Sequence, residues 1–215
     1  MKYKTALDWL YKWEKEKPNS VYLTQPVAGK WHNWTFKEVA NEVRRMAGYI
    51  NSLNLEKNSK IGILSKNCAH WIMADLAIFL SGNVSVPLYP NLNADTLSQI
   101  LQHSETRLLF VGKLDDFSSQ VSAVPEKVDC ISFPFYTENY PMWDDLISNV
   151  EPVENLSRSS DELASIIYTS GTTGASKGVM HSFFNFSFST INASKALDIA
   201  KNDEVFFSYL PLSHI

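Results

Sequence analysis

The sequence predicts an α/β fold in which a mostly parallel β-sheet is covered by helices. Short apolar runs alternate with amphipathic segments of helical length between residues 60 and 111. Alternation of strand and helix is typical of parallel sheets. The 215 residues are 45% hydrophobic and 20% charged, the proportions of an ordinary globular domain. This length corresponds to one large domain or to one and a half domains.

The first part of the chain, residues 1–58, predicts a helix, a hairpin and a second helix. The opening helix runs to Lys17 and ends before a proline. The hairpin turns at Ala28-Gly29. Thr35 and Glu38 have the spacing of a capping box, which marks the start of the second helix. Apolar residues then recur on one helical face: Val39, Val43, Met46, Ala47 and Ile50.

Residues 59–150 predict the β/α segment. Strands are expected at residues 60–65, 84–88, 108–111 and 128–133. Asn67 is expected to cap the helix that ends at Leu80, and Asn93 or Asp95 to start the next one. A short helix at residues 143–147 and a polar connection follow. A third segment, residues 161–215, begins with an apolar strand.

Composition and charge exclude several functions. The formal net charge is −4, with 19 basic and 23 acidic residues, and nucleic-acid binding needs clustered positive charge instead. Cys68 and Cys130 stand alone, so we expect buried thiols and assign no metal ligand in this chain. The longest apolar run, residues 71–80, is too short to span a membrane. With no secretory signal at the N-terminus, we expect a cytoplasmic protein.

The strongest functional signal is the loop that follows the strand at residues 163–168. Three of the eight glycines lie between Gly171 and Gly178, among hydroxyl residues and one lysine. Glycines let the backbone approach phosphate oxygens, and successive N–H groups form an anion-binding nest. Lys177 would add a compact positive charge. The hydroxyl groups would add neutral donors: Thr169, Ser170, Thr172 and Thr173.

This loop is not a Walker A motif, because Ser176 precedes Lys177 and Gly178 follows it. A P-loop kinase is therefore disfavoured. Taken alone, the loop could also be a surface turn that binds nothing.

The string from Tyr168 to Val179 resembles the AMP-binding signature of adenylate-forming enzymes. This superfamily contains acyl-CoA synthetases, luciferases and peptide-synthetase adenylation domains. One departure is Ser176, where the family usually has proline. The residues after the loop also differ in order, so no role is transferred to His181. Residues 209–215 resemble the next family motif, in the form seen in long-chain acyl-CoA synthetases, and weaker similarity extends over nearly the whole chain.

The resemblance implies the N-terminal part of the large domain of adenylate-forming enzymes. The implied activity is the ATP-dependent conversion of a carboxylic acid to acyl-AMP and then to acyl-CoA. The implied acid is a long-chain fatty acid. ATP, Mg²⁺ and CoA are the implied cosubstrates and cofactor. Lys177 and His214 are the implied catalytic residues, with His214 beside the acyl carboxylate. The implied nucleotide-binding residues are Thr169, Ser170, Gly171, Thr172, Thr173, Gly174 and Lys177.

Family members are much longer than this chain. Their acidic Mg²⁺ ligand, ribose-binding Asp, adenine pocket and C-terminal-domain lysine follow the motif that ends here. We therefore expect residues 1–215 to be an incomplete N-terminal AMP-binding domain without the C-terminal domain, inactive alone.

Several alternatives remain open at this stage. The acid could be an aryl, short-chain or amino acid, or the chain could be a non-catalytic nucleotide- or anion-binding module. A lipid substrate would allow peripheral membrane contact, but no basic amphipathic helix supports it in the sequence. The cluster of Phe183, Phe184, Phe186 and Phe188 fits an acyl tunnel or a helix packed on the sheet.

Overall fold

A computed structural model describes residues 3–136, 140–169, 176–199 and 204–214. Its strands form a two-stranded hairpin and a six-stranded sheet. The helices are α1 (Ala6–Glu16), α2 (Phe36–Ser52), α3 (Ala69–Leu80), α4 (Ala94–His103), α5 (Phe117–Val121), α6 (Trp143–Ile147) and α7 (Phe183–Ala196). The strands are β1 (Val21–Val27), β2 (Lys30–Thr35), β3 (Lys60–Leu64), β4 (Val84–Leu88), β5 (Thr106–Val111), β6 (Asp129–Ser132), β7 (Leu163–Thr169) and β8 (Lys177–Ser182).

The large sheet has the strand order β6-β5-β3-β4-β7-β8. Its first five strands run parallel, and β8 pairs antiparallel with β7. The connection from β7 to β8 is too short for a parallel crossover, so the chain must reverse there. The predicted α/β class with a mostly parallel sheet is confirmed.

Helices cover both faces of this sheet. Ile61 and Ile63 of β3 pack in a core with the buried residues of α2, α3 and α6. Val86 and Leu88 of β4 pack in a second core with α4. The helices that follow β3 and β4 therefore lie on opposite faces.

The opening elements match their sequence signals. Thr35 and Glu38 form the predicted capping box at the start of α2. The five predicted apolar residues of that helix are fully buried. Ala28 and Gly29 have φ angles of 49° and 78°, the left-handed geometry that suits a two-residue hairpin turn.

The prediction that Asn67 caps α3 is wrong. Cys68 is the N-cap residue, and its side chain makes no capping hydrogen bond. Gln25 of the hairpin supplies a capping acceptor instead, because its Oε1 accepts from the Ala69 N–H at 2.6 Å. The Asn67 side chain therefore does not cap α3 and can contact another part of the chain.

The four phenylalanines near residue 185 lie on α7 and divide between two environments. Phe183 is 2% exposed and packs edge-on against Phe79 of α3. Phe188 is 49% exposed. Phe183 is therefore buried as the second interpretation predicted, with its ring contact on α3 rather than on the sheet. Among the described residues, no helix is both long and apolar enough to cross a membrane.

Candidate functional site at the carboxyl edge of the sheet

The β7–β8 pair brings Thr169 and Lys177 together. These two residues are directly opposite each other in the register, and both are exposed. Opposed residues of an antiparallel pair point to the same face. Ser170, Gly171, Thr172, Thr173 and Gly174 lie outside the described residues, so the structure places the two ends of the loop.

Gly178 allows the close approach of these two strands. A Cβ atom built on it would lie 2.9 Å from Ile166 Cγ2 and 3.1 Å from Tyr168 Cζ. Such contacts leave no room for a larger side chain. The glycine after Lys177 therefore has a packing role that is separate from phosphate binding.

Tyr168 fixes the end of β7 from the other face of the sheet. Its hydroxyl lies 2.7 Å from His103 Nδ1, at the last turn of α4, and the rings meet edge to face. Burial raises the pKa of Tyr168, so the hydroxyl keeps its proton. The first residue of the signature string is thus a positioning residue.

His214 contacts the residue that follows β4. Its Nδ1 lies 2.5 Å from the Tyr89 hydroxyl, and the two ring centroids are 5.9 Å apart. Sequence reasoning placed Tyr89 in the scaffold and missed this contact. The only signal was the position of Tyr89 in a proline-bearing turn at a strand end.

Asn67 holds the segment that carries His214. Its Nδ2 donates to the carbonyl oxygens of Ser208 at 3.1 Å and Leu210 at 2.7 Å. Its Oδ1 accepts from the Leu212 N–H at 2.9 Å. One amide side chain after β3 therefore fixes three backbone groups of residues 208–212.

These contacts gather at a topological switch point. The strands β4 and β5 lie on opposite sides of β3, and the loops after β3 and β4 lead to helices on opposite faces. Open α/β sheets bind ligands in the crevice outside the carboxyl ends of such strands. Asn67, Tyr89 and Thr169 all lie at that edge, and His214 joins them through Tyr89.

A cleft of about 490 Å³ adjoins His214. Most of its lining is apolar or aromatic and comes from α3, α7, β4 and the segment that leads to His214: Trp71, Pro87, Phe186, Phe206, Phe207, Tyr209, Leu210, Pro211 and Leu212. Asp75 and Ser165 add polar groups to the wall. Among the described residues, the Trp71 indole N–H and the Ser165 hydroxyl have no hydrogen-bond partner. Burial raises the pKa of Asp75 to about 7.

The end of the loop offers donors for an anion. No carboxylate of the described residues forms an ion pair with Lys177. Its ammonium group and the Thr169 hydroxyl lie at one strand edge, a donor set that fits phosphate oxygens. They provide no carboxylate, so they are not a Mg²⁺ site by themselves.

Two curated proteins with similar sequences are named as CoA ligases. A long-chain-fatty-acid–CoA ligase of Rattus norvegicus is 28% identical over 86% of this chain and 31% of its own length. The corresponding enzyme named heimdall, from Drosophila melanogaster, is 30% identical over 86% of this chain and 30% of its own length. The chain thus spans about a third of the length of these relatives.

Solved structures share the fold. A Rhodopseudomonas palustris protein assigned as a long-chain-fatty-acid CoA ligase has a TM-score of 0.83, with 21% identity over 98% of this chain and 52% of the other. The o-succinylbenzoate CoA synthetase of Bacillus subtilis, in complex with ATP and magnesium, has a TM-score of 0.76. That pair is 26% identical over 96% of this chain and 51% of the synthetase.

The family model described as AMP-binding enzyme matches residues 10–215. This match includes Asn67, Tyr89 and Thr169 at the carboxyl edge of the sheet, and it includes both sequence motifs. The chain therefore belongs to the AMP-binding enzyme family of adenylate-forming proteins.

Proposed function

We propose that this chain forms the N-terminal part of an enzyme that activates a carboxylic acid with ATP and transfers the acyl group to CoA. The observation that carries the proposal is the meeting of both motifs at one edge of the sheet. Thr169 ends β7, and Lys177 begins β8 directly opposite it. His214 contacts Tyr89, which follows the neighbouring strand β4.

Lys177 and the loop from Thr169 to Gly174 hold the β- and γ-phosphates of ATP in this proposal. The carboxylate of the acid attacks the α-phosphate and displaces pyrophosphate to give acyl-AMP, so two anions must approach each other. Donors that are already in place reduce this repulsion, and such electrostatic stabilisation is a large part of phosphoryl-transfer catalysis. Mg²⁺ adds further neutralisation when it is bound.

His214 orients the carboxylate of the acid. Its Nδ1 is 2.5 Å from the Tyr89 hydroxyl, which can donate its proton there. This tautomer places the ring proton on Nε2, where it can donate to the carboxylate. Tyr89 is therefore a positioning residue for His214.

We further propose that the acid is a long-chain fatty acid. The apolar lining of the cleft beside His214 and the names of the sequence relatives support this choice. The unpartnered polar groups in the cleft wall favour a second candidate, an aryl or otherwise polar acid. A panel of acids distinguishes the two: preference for a long unsubstituted chain supports the first, and preference for an aryl acid supports the second.

We propose that the 215-residue chain does not turn over substrate alone, because the adenine, ribose and Mg²⁺ ligands are not assigned in it. Carboxylate-dependent exchange of pyrophosphate into ATP by this chain would refute that proposal.

The test of the site uses an enzyme extended to the length of its relatives. In it, Lys177→Ala should slow ATP–pyrophosphate exchange on the order of 100-fold, as the loss of one preorganised donor does elsewhere. Lys195→Ala is the matched control, since this lysine is exposed on α7. An unchanged exchange rate in Lys177→Ala would refute the role of Lys177. ATP binding without exchange in the unmutated enzyme would instead favour a non-catalytic binding module.

A further inference from the structure

Three side chains that can bind metals meet between helices that the proposed function does not use. Glu42 lies on α2, His70 in the first turn of α3, and Asp144 on α6. One possible ligand atom from each lies within 4.8 Å of the others. His70 Nε2 and Glu42 Oε2 lie 3.7 Å apart.

The His70 ring is buried without a hydrogen bond to any described residue. Its side chain is 3% exposed. Nδ1 has no partner, and the contact of Nε2 with Glu42 exceeds hydrogen-bond length. Aromatic rings surround the imidazole: Trp34, Phe133, Phe135 and Trp143. Burial lowers the pKa of His70 to about 4, so the ring is neutral and keeps a free electron pair at neutral pH.

The two carboxyl groups lack a cationic partner in the described part of the chain. Among the described residues, Glu42 forms an ion-pair contact only with His70, and Asp144 forms none. A cation placed between these groups would give the His70 imidazole a partner for its free electron pair and would neutralise the charge of the two carboxylates.

One contact already orients a potential ligand. The Trp143 indole N–H donates to Glu42 Oε2 at 3.2 Å. Hydrogen bonds from a second layer of residues commonly fix the ligands of metal sites in this way.

We propose that Glu42, His70 and Asp144 bind a zinc ion that joins α2, α3 and α6, with water as the fourth ligand. Imidazole and carboxylate are ordinary zinc ligands at about 2.0–2.2 Å. In a tetrahedral site, two bonds of this length place their ligand atoms roughly 3.4 Å apart, so the 4.8 Å group must close by about 1.4 Å. Asp144 is exposed and can move for this closure. An imidazole ligand favours zinc over magnesium or calcium, which prefer oxygen ligands alone.

The test is a zinc titration of the tag-free 215-residue chain after removal of metals with a chelator. We expect one zinc ion per chain, competition with a chromophoric chelator, and a melting temperature that rises with zinc concentration. Cobalt(II) in place of zinc should give the visible absorption of a four-coordinate site. Absence of stoichiometric binding would overturn the proposal.

Variants locate the site. Asp144→Asn and His70→Gln should each weaken zinc binding by at least about tenfold, the scale of effect known for groups that support metal ligands. Asp145→Asn is the matched control, because this exposed neighbour is not in the cluster and should leave the affinity unchanged. Equal zinc affinity in Asp144→Asn and the unmutated chain would overturn the proposal. Because Asp144 is exposed, that variant decides the question even if His70→Gln does not fold.

Discussion

The contacts of Asn67 allow a quantitative prediction for the segment that carries His214. Replacement by alanine removes the donor to Ser208 and Leu210 and the acceptor for the Leu212 N–H. The strands and helices keep their own hydrogen bonds, because Cys68 rather than Asn67 precedes α3 as its N-cap. We therefore expect residues 208–214 to open locally while the rest of the chain remains folded.

The size of the effect follows from the three backbone groups. A hydrogen bond contributes about 0.5–1.5 kcal/mol net. The contacts to Ser208 and Leu210 are exposed to solvent and the contact to Leu212 is partly buried, so the lower half of that range applies. Their sum is about 2 kcal/mol, which corresponds to a roughly 30-fold increase in the opening equilibrium, since 1.4 kcal/mol is a factor of ten.

Amide hydrogen exchange of Leu212, measured by NMR, reports this opening directly because its N–H is one of the lost donors. Asn67→Ala should accelerate that exchange about 30-fold. Asn93→Ala is the control, since it removes a helix cap on α4, where Asn93 accepts from Thr96 at 2.8 Å. It costs about 1 kcal/mol without a contact to residues 208–212. Equal Leu212 exchange in Asn67→Ala and the unmutated chain would refute the anchoring role.

Two further predictions concern the sheet and the cleft. Gly112→Ala should lower the free energy of unfolding by about 1–3 kcal/mol, because its Cβ would lie 2.5 Å from Ser65 Oγ and also contact Phe133. Thermal melting measures this, with exposed Ser122→Ala as the control, and an unchanged melting temperature would contradict the packing argument. Burial raises the pKa of Asp75 from 3.8 to about 7, so its folded form binds a proton more tightly and its contribution to stability falls as pH rises through that range. Asp75→Asn should remove this fall, of which about 2.6 kcal/mol of the roughly 4 kcal/mol total lies between pH 5 and pH 8. Urea unfolding at these two pH values checks it, and the same pH dependence in the variant would rule it out.

The local signals of the sequence predicted most of the fold. The capping box of Thr35 and Glu38 and the spacing of the α2 apolar residues depend on neighbours a few positions away, so they can be read directly. Hairpin and strand positions followed from the same local chemistry. The α/β class and the mostly parallel sheet are confirmed for this reason.

The interactions that the sequence could not show are those between distant residues. Asparagine is a common helix-capping residue, which is why the sequence suggested this role for Asn67. In the fold, Gln25 of the hairpin accepts the Ala69 N–H, and Asn67 binds residues 208–212 instead. Tyr89 stands in an ordinary proline turn, and only the tertiary fold brings His214 to it. The assignments of Lys177, His214 and the loop as functional residues stay predictions that the proposed variants test.

The anchoring of residues 208–214 also affects how the site comes to exist during folding. The Asn67–Leu212 and Tyr89–His214 contacts join residues that are 145 and 125 positions apart. Contacts between residues so far apart in sequence form late, because closing the long intervening loop costs conformational entropy before the contact contributes any stabilisation. The parallel strands β3 and β4 are synthesised well before residue 214 emerges. We therefore expect the candidate site to be completed late in folding, when residues 208–214 dock onto the ends of β3 and β4.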